Sequence, residues 1–110
     1  MRPVRDTQEL ARAFEEPWAL VFKHSTRCPT STAAHREVVE FRRRHPSAAV
    51  YVVHVVEQRD LSKAVAERTG VRHESPQAIV LSAGSVTWSD SHEGVTVDAL
   101  EALLPVPVAP

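Results

Sequence analysis

The only cysteine of the chain, Cys28, lies between an apolar run at 18–22 and a helical pattern that begins at about residue 29. Five consecutive apolar residues are typical of a short strand that is buried on both faces of a sheet. A side chain between such a strand and a helix lies at the helix amino terminus, where free N–H groups and the helix dipole stabilise a thiolate. The sequence therefore predicts an α/β fold that presents Cys28 as a reactive sulfur.

The periodic segments on either side of Cys28 predict the remaining elements. Thr7 or Asp6 can cap a first helix, Asp60 a helix that Gly70 ends, and Thr96 a last helix. The predicted helices span 7–16, 29–44, 61–69 and 97–104. The predicted strands span 18–22, 49–56, 77–81 and 86–89, and a tight turn at 83–85 joins the last two.

The resulting order is α-β-α-β-α-β-β-α, in which crossover units of parallel strands precede an antiparallel hairpin. This order predicts a thioredoxin-like fold with a mixed central four-stranded sheet flanked by helices. The 110 residues, 43% of them hydrophobic, suffice for one core, so we expect a single domain over 1–110 with a loose tail at 105–110.

Composition argues against several classes of partner. The net charge is −1 and the basic residues are scattered except at 42–44, so we expect neither nucleic acid nor membrane as a partner. The amino-terminal residues lack the apolar stretch of a signal peptide, and a single free cysteine fits a reducing compartment, so we expect a cytoplasmic protein. We expect no metal site built on cysteines and, with three glycines in all, no glycine-rich loop for a redox cofactor.

Ser31 stands three residues after Cys28, where a dithiol enzyme of the C-x-x-C type carries its second sulfur. Without that sulfur no internal disulfide can form, so thiol exchange has to finish with an external thiol. Ser31 itself has two possible roles. It can donate a hydrogen bond to the Cys28 thiolate, or it can cap the first turn of the helix.

Ser75 and Pro76 lie immediately before the third predicted strand. At this point of the predicted fold a proline is commonly cis and packs beside the reactive sulfur. A cis bond leaves the backbone of Ser75 free to pair with an extended substrate that lies across Cys28. We therefore predict a cis Ser75–Pro76 bond at the substrate site.

Two long motifs, FKHSTRCPTS at 22–31 and AERTGVRHESPQ at 66–77, together with Ser91-His92, resemble the monothiol bacilliredoxins of the bacillithiol system, the YtxJ-like proteins. The resemblance covers nearly the whole chain. It implies that Cys28 removes bacillithiol from mixed disulfides on client proteins, that Ser31 occupies the place of the resolving cysteine, and that Pro76 is the active-site proline. It also implies bacillithiol as the thiol co-substrate, no bound cofactor, and bacillithiolated proteins as partners.

Bacillithiol carries a malate group with two carboxylates, so its site should offer cations near the sulfur and near the proline. Arg27, Arg72 and His73 are the candidates. His92, in the loop after the hairpin, is a further candidate for contact with the thiol. Beside the sulfur, the expected thiolate support and substrate site includes Pro29, Thr30, Ser31 and Ser75. We expect the protein to act as a monomer or weak dimer.

Two other functions fit the same residues. The chain could be a thioredoxin-fold binding or adaptor module that holds a partner in the groove beside Cys28 and Pro76 without turnover. It could also be a redox sensor whose cysteine is capped by a small thiol under oxidation. Outside this groove we expect structural roles for His24 and His54 and an exposed His35.

Overall fold

The computed structural model describes residues 1–105 and places their strands in one five-stranded sheet. The strands are β1 (Arg2–Pro3), β2 (Trp18–His24), β3 (Ala49–His54), β4 (Gln77–Ser82) and β5 (Ser85–Ser91). The helices are α1 (Thr7–Glu15), α2 (Pro29–Arg44), α3 (Arg59–Thr69) and α4 (Val97–Glu101), with a 3₁₀ turn at His92–Gly94. The strand order in space is β1-β3-β2-β4-β5.

The thioredoxin-like fold is confirmed, but the sheet has one strand more than the four predicted. β1 pairs in parallel with β3, with Arg2 opposite Tyr51, and the pairing continues through a 2.8 Å hydrogen bond from the Val4 N–H to the Val52 carbonyl. This strand has only two residues, both exposed, and one is a proline. It therefore has no alternating pattern of its own, and it forms because the edge of β3 offers hydrogen-bond partners.

The sheet separates two cores, and β2 contributes to both. β2 runs parallel to β3 and antiparallel to β4, so it is the middle strand. Alternate side chains therefore pack on opposite faces, as the continuous apolar run predicted. One core contains, from β2 and α2, Trp18, Leu20, Phe22, Val38 and Phe41. The other contains, from β2, α1 and α3, Ala19, Val21, Leu10 and Val65.

Several of the predicted boundaries are wrong. α4 ends at Glu101 instead of 104, β2 continues to His24 instead of 22, and β5 spans Ser85–Ser91 instead of 86–89. α3 begins at Arg59 with Gln58 at the cap position, so Asp60 lies in the first turn instead of capping the helix. β3 ends at His54, two residues earlier than predicted, because the chain enters a turn in which the Gln58 N–H donates to the His54 carbonyl at 2.8 Å.

The caps of the first and last helices are confirmed. The Asp6 side chain accepts the Glu9 N–H, and the Thr96 hydroxyl accepts the Ala99 N–H. Of the predicted tail, Pro105 is exposed and lies outside any helix or strand, while 106–110 fall outside the described residues. No helix within 1–105 is long and apolar enough to cross a membrane.

Candidate active site

Cys28 is the N-cap residue of α2, at the end of the four-residue connection from β2. Its backbone is extended and Pro29 occupies the first helical turn, where a proline loses no helical hydrogen bond. The Cys28 N–H donates to the Ser25 carbonyl at 3.3 Å, which closes a tight turn before the helix. The side chain is partly exposed. The sulfur is therefore held at the amino terminus of a 16-residue helix and remains open to solvent.

The amino terminus of α2 lowers the pKa of the Cys28 thiol below its ordinary value. The largest cause is a hydrogen bond from the Ser31 backbone N–H. Burial, the second in size, opposes it, and bonds from the Thr30 backbone and hydroxyl add smaller lowering effects. Each of these donors stabilises the thiolate more than the thiol. Cys28 is therefore ionised to the thiolate, the form that attacks disulfides, at a lower pH than an ordinary cysteine.

The Ser31 side chain has a role that neither sequence interpretation gave it. It is completely buried, and its Oγ accepts the Ser25 N–H at 2.9 Å and lies 2.8 Å from His24 Nδ1. In the tautomer with the His24 proton on Nε2, the single hydroxyl proton goes to Nδ1. Cys28 is then supported by the Ser31 backbone, while the Ser31 hydroxyl fastens the cysteine loop to the end of β2.

Three histidines behind this loop form a cluster that the sequence analysis missed. The rings of His24 and His35 stack with centroids 4.5 Å apart, and His54 lies 6.0 Å from His24. Burial, and then the neighbouring His35 and His54, lower the pKa of His24, so the imidazole is neutral at pH 7. The expected exposure of His35 is wrong, since it is half-buried. His35 lies four residues after Ser31, on the same face of α2, and this spacing is the sequence signal that places His35 beside the residue that bonds His24.

The cluster is not arranged as a metal site. Within the described part of the chain, no group of three or more histidine, cysteine or acidic side chains is placed to hold a metal ion. His24 instead packs its ring on Phe22 at 5.6 Å and bonds Ser31 through one nitrogen. The expected structural role of His24 agrees with this arrangement.

The Ser75–Pro76 bond is cis, as predicted. The Pro76 carbonyl accepts the His92 N–H at 3.1 Å, so the proline is tied to the 3₁₀ turn after β5. His92 has a left-handed backbone, with φ of 53°, and it lines a cleft of about 450 Å³ with Pro29 and Thr30. The buried proline is therefore linked, through His92, to a cleft at the amino end of α2.

A second cleft, of about 410 Å³, opens directly at Cys28. It contains two arginines, Arg27 from the loop and Arg36 from α2. Arg36 was not among the candidate residues, although its spacing from Thr32 places it on the same helix face. The cleft at His92 carries carboxylates instead, Glu37 and Glu93. The two sides of the helix start are therefore oppositely charged, and the sulfur faces the cationic side.

The structure does not bring Arg72 and His73 into the cleft at Cys28. The Arg72 carbonyl accepts a hydrogen bond from Gln77 Nε2, and His73 Nδ1 lies 3.1 Å from both Lys23 Nζ and Ser62 Oγ. His73 thus belongs to a polar group on the α3 side of the sheet. Of the three cations predicted for the malate group, Arg27 lies at the sulfur.

A cavity of about 760 Å³ lies far from this site, at the amino ends of the parallel strands β2 and β3. His45 and Glu101 meet there at 2.7 Å across an apolar wall that includes Trp18. It contains no nucleophilic sulfur, since Cys28 follows the other end of β2. The chemistry of this chain is therefore concentrated at the start of α2.

The family model for the monothiol bacilliredoxin BrxC matches residues 1–100. The chain belongs to this bacilliredoxin family. The resemblance drawn from the two sequence motifs is thereby confirmed. A protein of this family with one cysteine at a helix start is a monothiol redox protein, and its class is that of the thiol–disulfide oxidoreductases.

Solved structures agree on the fold of this bacilliredoxin. A structure described as having a thioredoxin fold is 29% identical, covers 92% of this chain and 90% of its own, and superposes with a TM-score of 0.86. A thioredoxin variant from Halobacterium salinarum is 24% identical, with coverage of 93% and 85% and a TM-score of 0.70. Mitochondrial thioredoxin 3 from Saccharomyces cerevisiae is 13% identical, with coverage of 93% and 91% and a TM-score of 0.74.

Proposed function

We propose that this bacilliredoxin removes bacillithiol from mixed disulfides on cytoplasmic client proteins and that an external thiol then regenerates Cys28. The observation that carries the proposal is a single sulfur whose thiolate is stabilised at the start of α2, with a buried serine where a second sulfur would stand. The serine cannot close a disulfide. A complete cycle then requires two exchanges between Cys28 and other thiols.

In the first exchange the Cys28 thiolate attacks the bacillithiol sulfur of the client mixed disulfide. The client–bacillithiol S–S bond breaks, a Cys28–bacillithiol S–S bond forms, and the client leaves as a thiolate that takes a proton from water. In the second exchange the thiolate of another bacillithiol attacks the bacillithiol sulfur of the adduct. The products are bacillithiol disulfide and the Cys28 thiolate, so the incoming free bacillithiol is the reductant: its sulfur is oxidised to the disulfide level as the client sulfur is reduced to a thiol.

The cationic cleft supports a carboxylate-bearing thiol as the co-substrate. Arg27 and Arg36 face the cleft that contains Cys28, and neither makes an ion pair among the described residues. The Cα of Arg36 lies about 12 Å along the helix from that of Cys28, and its side chain leans back toward the amino terminus. A malate group on a thiol bound to Cys28 would thus have two guanidinium groups within reach.

Intact mass spectrometry tests the cycle. A single-cysteine protein capped with bacillithiol is mixed with the bacilliredoxin, with and without free bacillithiol. The masses of both proteins are then measured over time. We expect a Cys28 adduct that forms as client thiol appears and that clears only when free bacillithiol is present. An adduct that persists in free bacillithiol would support the sensor instead, and the absence of any adduct would support the binding module.

The two arginines predict a preference for anionic small thiols. Wild-type protein should react faster with the disulfide of mercaptosuccinate, which carries two carboxylates per thiol, than with the disulfides of mercaptoethanol or cysteamine. Exposed ion pairs are weak, so each arginine should contribute roughly threefold, and the Arg27→Ala/Arg36→Ala double variant should lose about tenfold on the dicarboxylate alone. Stopped-flow measurement of disulfide reduction at low salt gives these rates.

Arg43→Ala is the matched control for this series. Arg43 lies on the same helix but at its far end, where it pairs with Glu40 at 2.6 Å. Its removal should leave the order of the reaction rates with the three disulfides unchanged. Equal rates for all three disulfides in the wild type, or an order that survives in the double variant, would contradict the arginine site while leaving the exchange cycle intact.

A further inference from the structure

Lys23 is a lysine buried completely inside the protein. Its side chain has no exposed surface, whereas the only other lysine of the chain, Lys63, is 78% exposed. Its ammonium nitrogen lies 3.1 Å from His73 Nδ1 and, within residues 1–105, makes no ion pair with a carboxylate. Lysines are almost never buried in this way without a partner of opposite charge.

Burial of Lys23 works against folding. Removal of the ammonium from water lowers the pKa of Lys23 to about 8, and no carboxylate offsets the lost hydration. An apolar side chain of similar length would fill the same space without this penalty. Because stability does not explain the lysine, its contacts have to be considered for function.

These contacts join the strand that leads to Cys28 to the loop that ends in the cis proline. Lys23 belongs to β2, five residues before the cysteine, and its partner His73 lies three residues before Pro76. His73 Nδ1 also lies 3.1 Å from the hydroxyl of Ser62, which is buried on α3. The loop is thus attached through one imidazole to the sheet and to a helix.

A second attachment holds the same loop from β4. Gln77 stands directly opposite Lys23 in the sheet, and its Nε2 donates to the Arg72 carbonyl at 2.8 Å. The buried Gln77 Oε1 and Ser75 Oγ have no hydrogen-bond partner within residues 1–105, so the interior of the loop is polar. The loop has no helical or strand hydrogen bonds of its own, and these side chains fix its shape.

We propose that Lys23 is a positioning residue for protein substrates: through His73 it holds loop 72–76 so that Pro76 stays hydrogen-bonded to His92 at the cleft beside the start of α2. Pro76 is bonded to His92, which lines that cleft with Pro29 and Thr30. An extended client segment needs this loop in place, because it pairs with the backbone there. A small disulfide needs only the sulfur. The inference rests on the proposed exchange at Cys28.

The test compares Lys23→Met with Lys63→Met, its exposed counterpart. We expect Lys23→Met to raise the melting temperature by about 4 °C or more, since an apolar residue replaces an unpaired buried charge. Its rate with mercaptoethanol disulfide should equal that of the wild type. Its second-order rate with a bacillithiol-capped protein should fall about tenfold, as expected when a hydrogen bond to a charged group is lost. Lys63→Met should change neither the melting temperature nor either of the two rates.

His73→Ala removes the same attachment from the exposed loop and so tests the contact without a change in the core. It should show the same selective loss on the capped protein, and the double variant should lose no more than either single variant. The inference is overturned if Lys23→Met lowers the melting temperature, loses both reactions in proportion, or releases the capped protein at the wild-type rate. A wild-type protein that fails on the capped client but reduces the small disulfide overturns the proposed function, and this inference with it.

Discussion

Replacement of Cys28 by serine should abolish release of bacillithiol from a capped client. Cys28 is the only sulfur nucleophile in the chain, and a serine hydroxyl is not ionised at neutral pH and does not attack disulfides. The backbone donors of Ser31 and Thr30 that stabilise the thiolate remain in the variant, so the loss is one of chemistry and not of fold. Client thiol is measured by mass spectrometry, and circular dichroism verifies the fold.

The pH dependence of the wild type provides the internal control. The Cys28 pKa is lowered, so the rate of alkylation by iodoacetamide should rise with pH along a curve whose midpoint lies below that of an ordinary thiol, which is about 8.5. Thr30→Val removes the hydroxyl donor and should shift the curve to higher pH. Release of client by Cys28→Ser, or a wild-type midpoint at or above that of an ordinary thiol, would contradict the assignment of Cys28 as the nucleophile.

Ser31→Ala should lower the free energy of unfolding by about 3 kcal/mol, because two buried polar groups lose their partner at once. The Ser25 N–H and His24 Nδ1 both contact Ser31 Oγ, at 2.9 Å and 2.8 Å, and all three residues are buried. For a domain of this size, that loss corresponds to a fall in melting temperature of roughly 10 °C or more. Denaturant unfolding measures the change directly.

Thr32→Ala is the matched control for this prediction. Thr32 is the next residue of α2, it is exposed, and its hydroxyl bonds only the Cys28 carbonyl, at 3.3 Å. Its removal should change the free energy of unfolding by no more than about 0.5 kcal/mol. Ser31→Ala keeps the backbone N–H that supports Cys28, so its folded fraction should still be alkylated. Equal stability of Ser31→Ala and the wild type would show that water replaces the serine hydroxyl.

The Cys28 loop and the main elements could be predicted from sequence because their signals are local. A buried strand, a cysteine and a proline at a helix start follow one another in the chain, and the limits of α2 are therefore those predicted. The cis bond before Pro76 depends on the order of elements, which the local patterns also supply. β1 was missed because its two residues carry no pattern and are ordered by an edge of β3.

Which residues line the cleft at Cys28 was harder to predict from the sequence. Arg72 and His73 were candidates for the malate group because they lie close to Pro76 along the chain; the structure shows that this loop is attached to α3 and β4 and does not line the cleft at Cys28. Arg36 was missed because eight residues separate it from Cys28, although helical geometry returns it to the cleft. Sequence distance was thus a poor guide wherever a loop changed direction or a helix brought separated residues together.

The sequence by itself determined the order of the main helices and strands, and it predicted Cys28 as the nucleophile and the need for an external thiol, since each depends on residue identity or on neighbours along the chain. Only the tertiary structure decided the contacts of Lys23, Ser31 and His24. Their partners come from other strands, helices and loops, and burial changes their chemistry: it lowers the pKa of Lys23 and of His24 and makes each hydrogen bond of Ser31 difficult to replace.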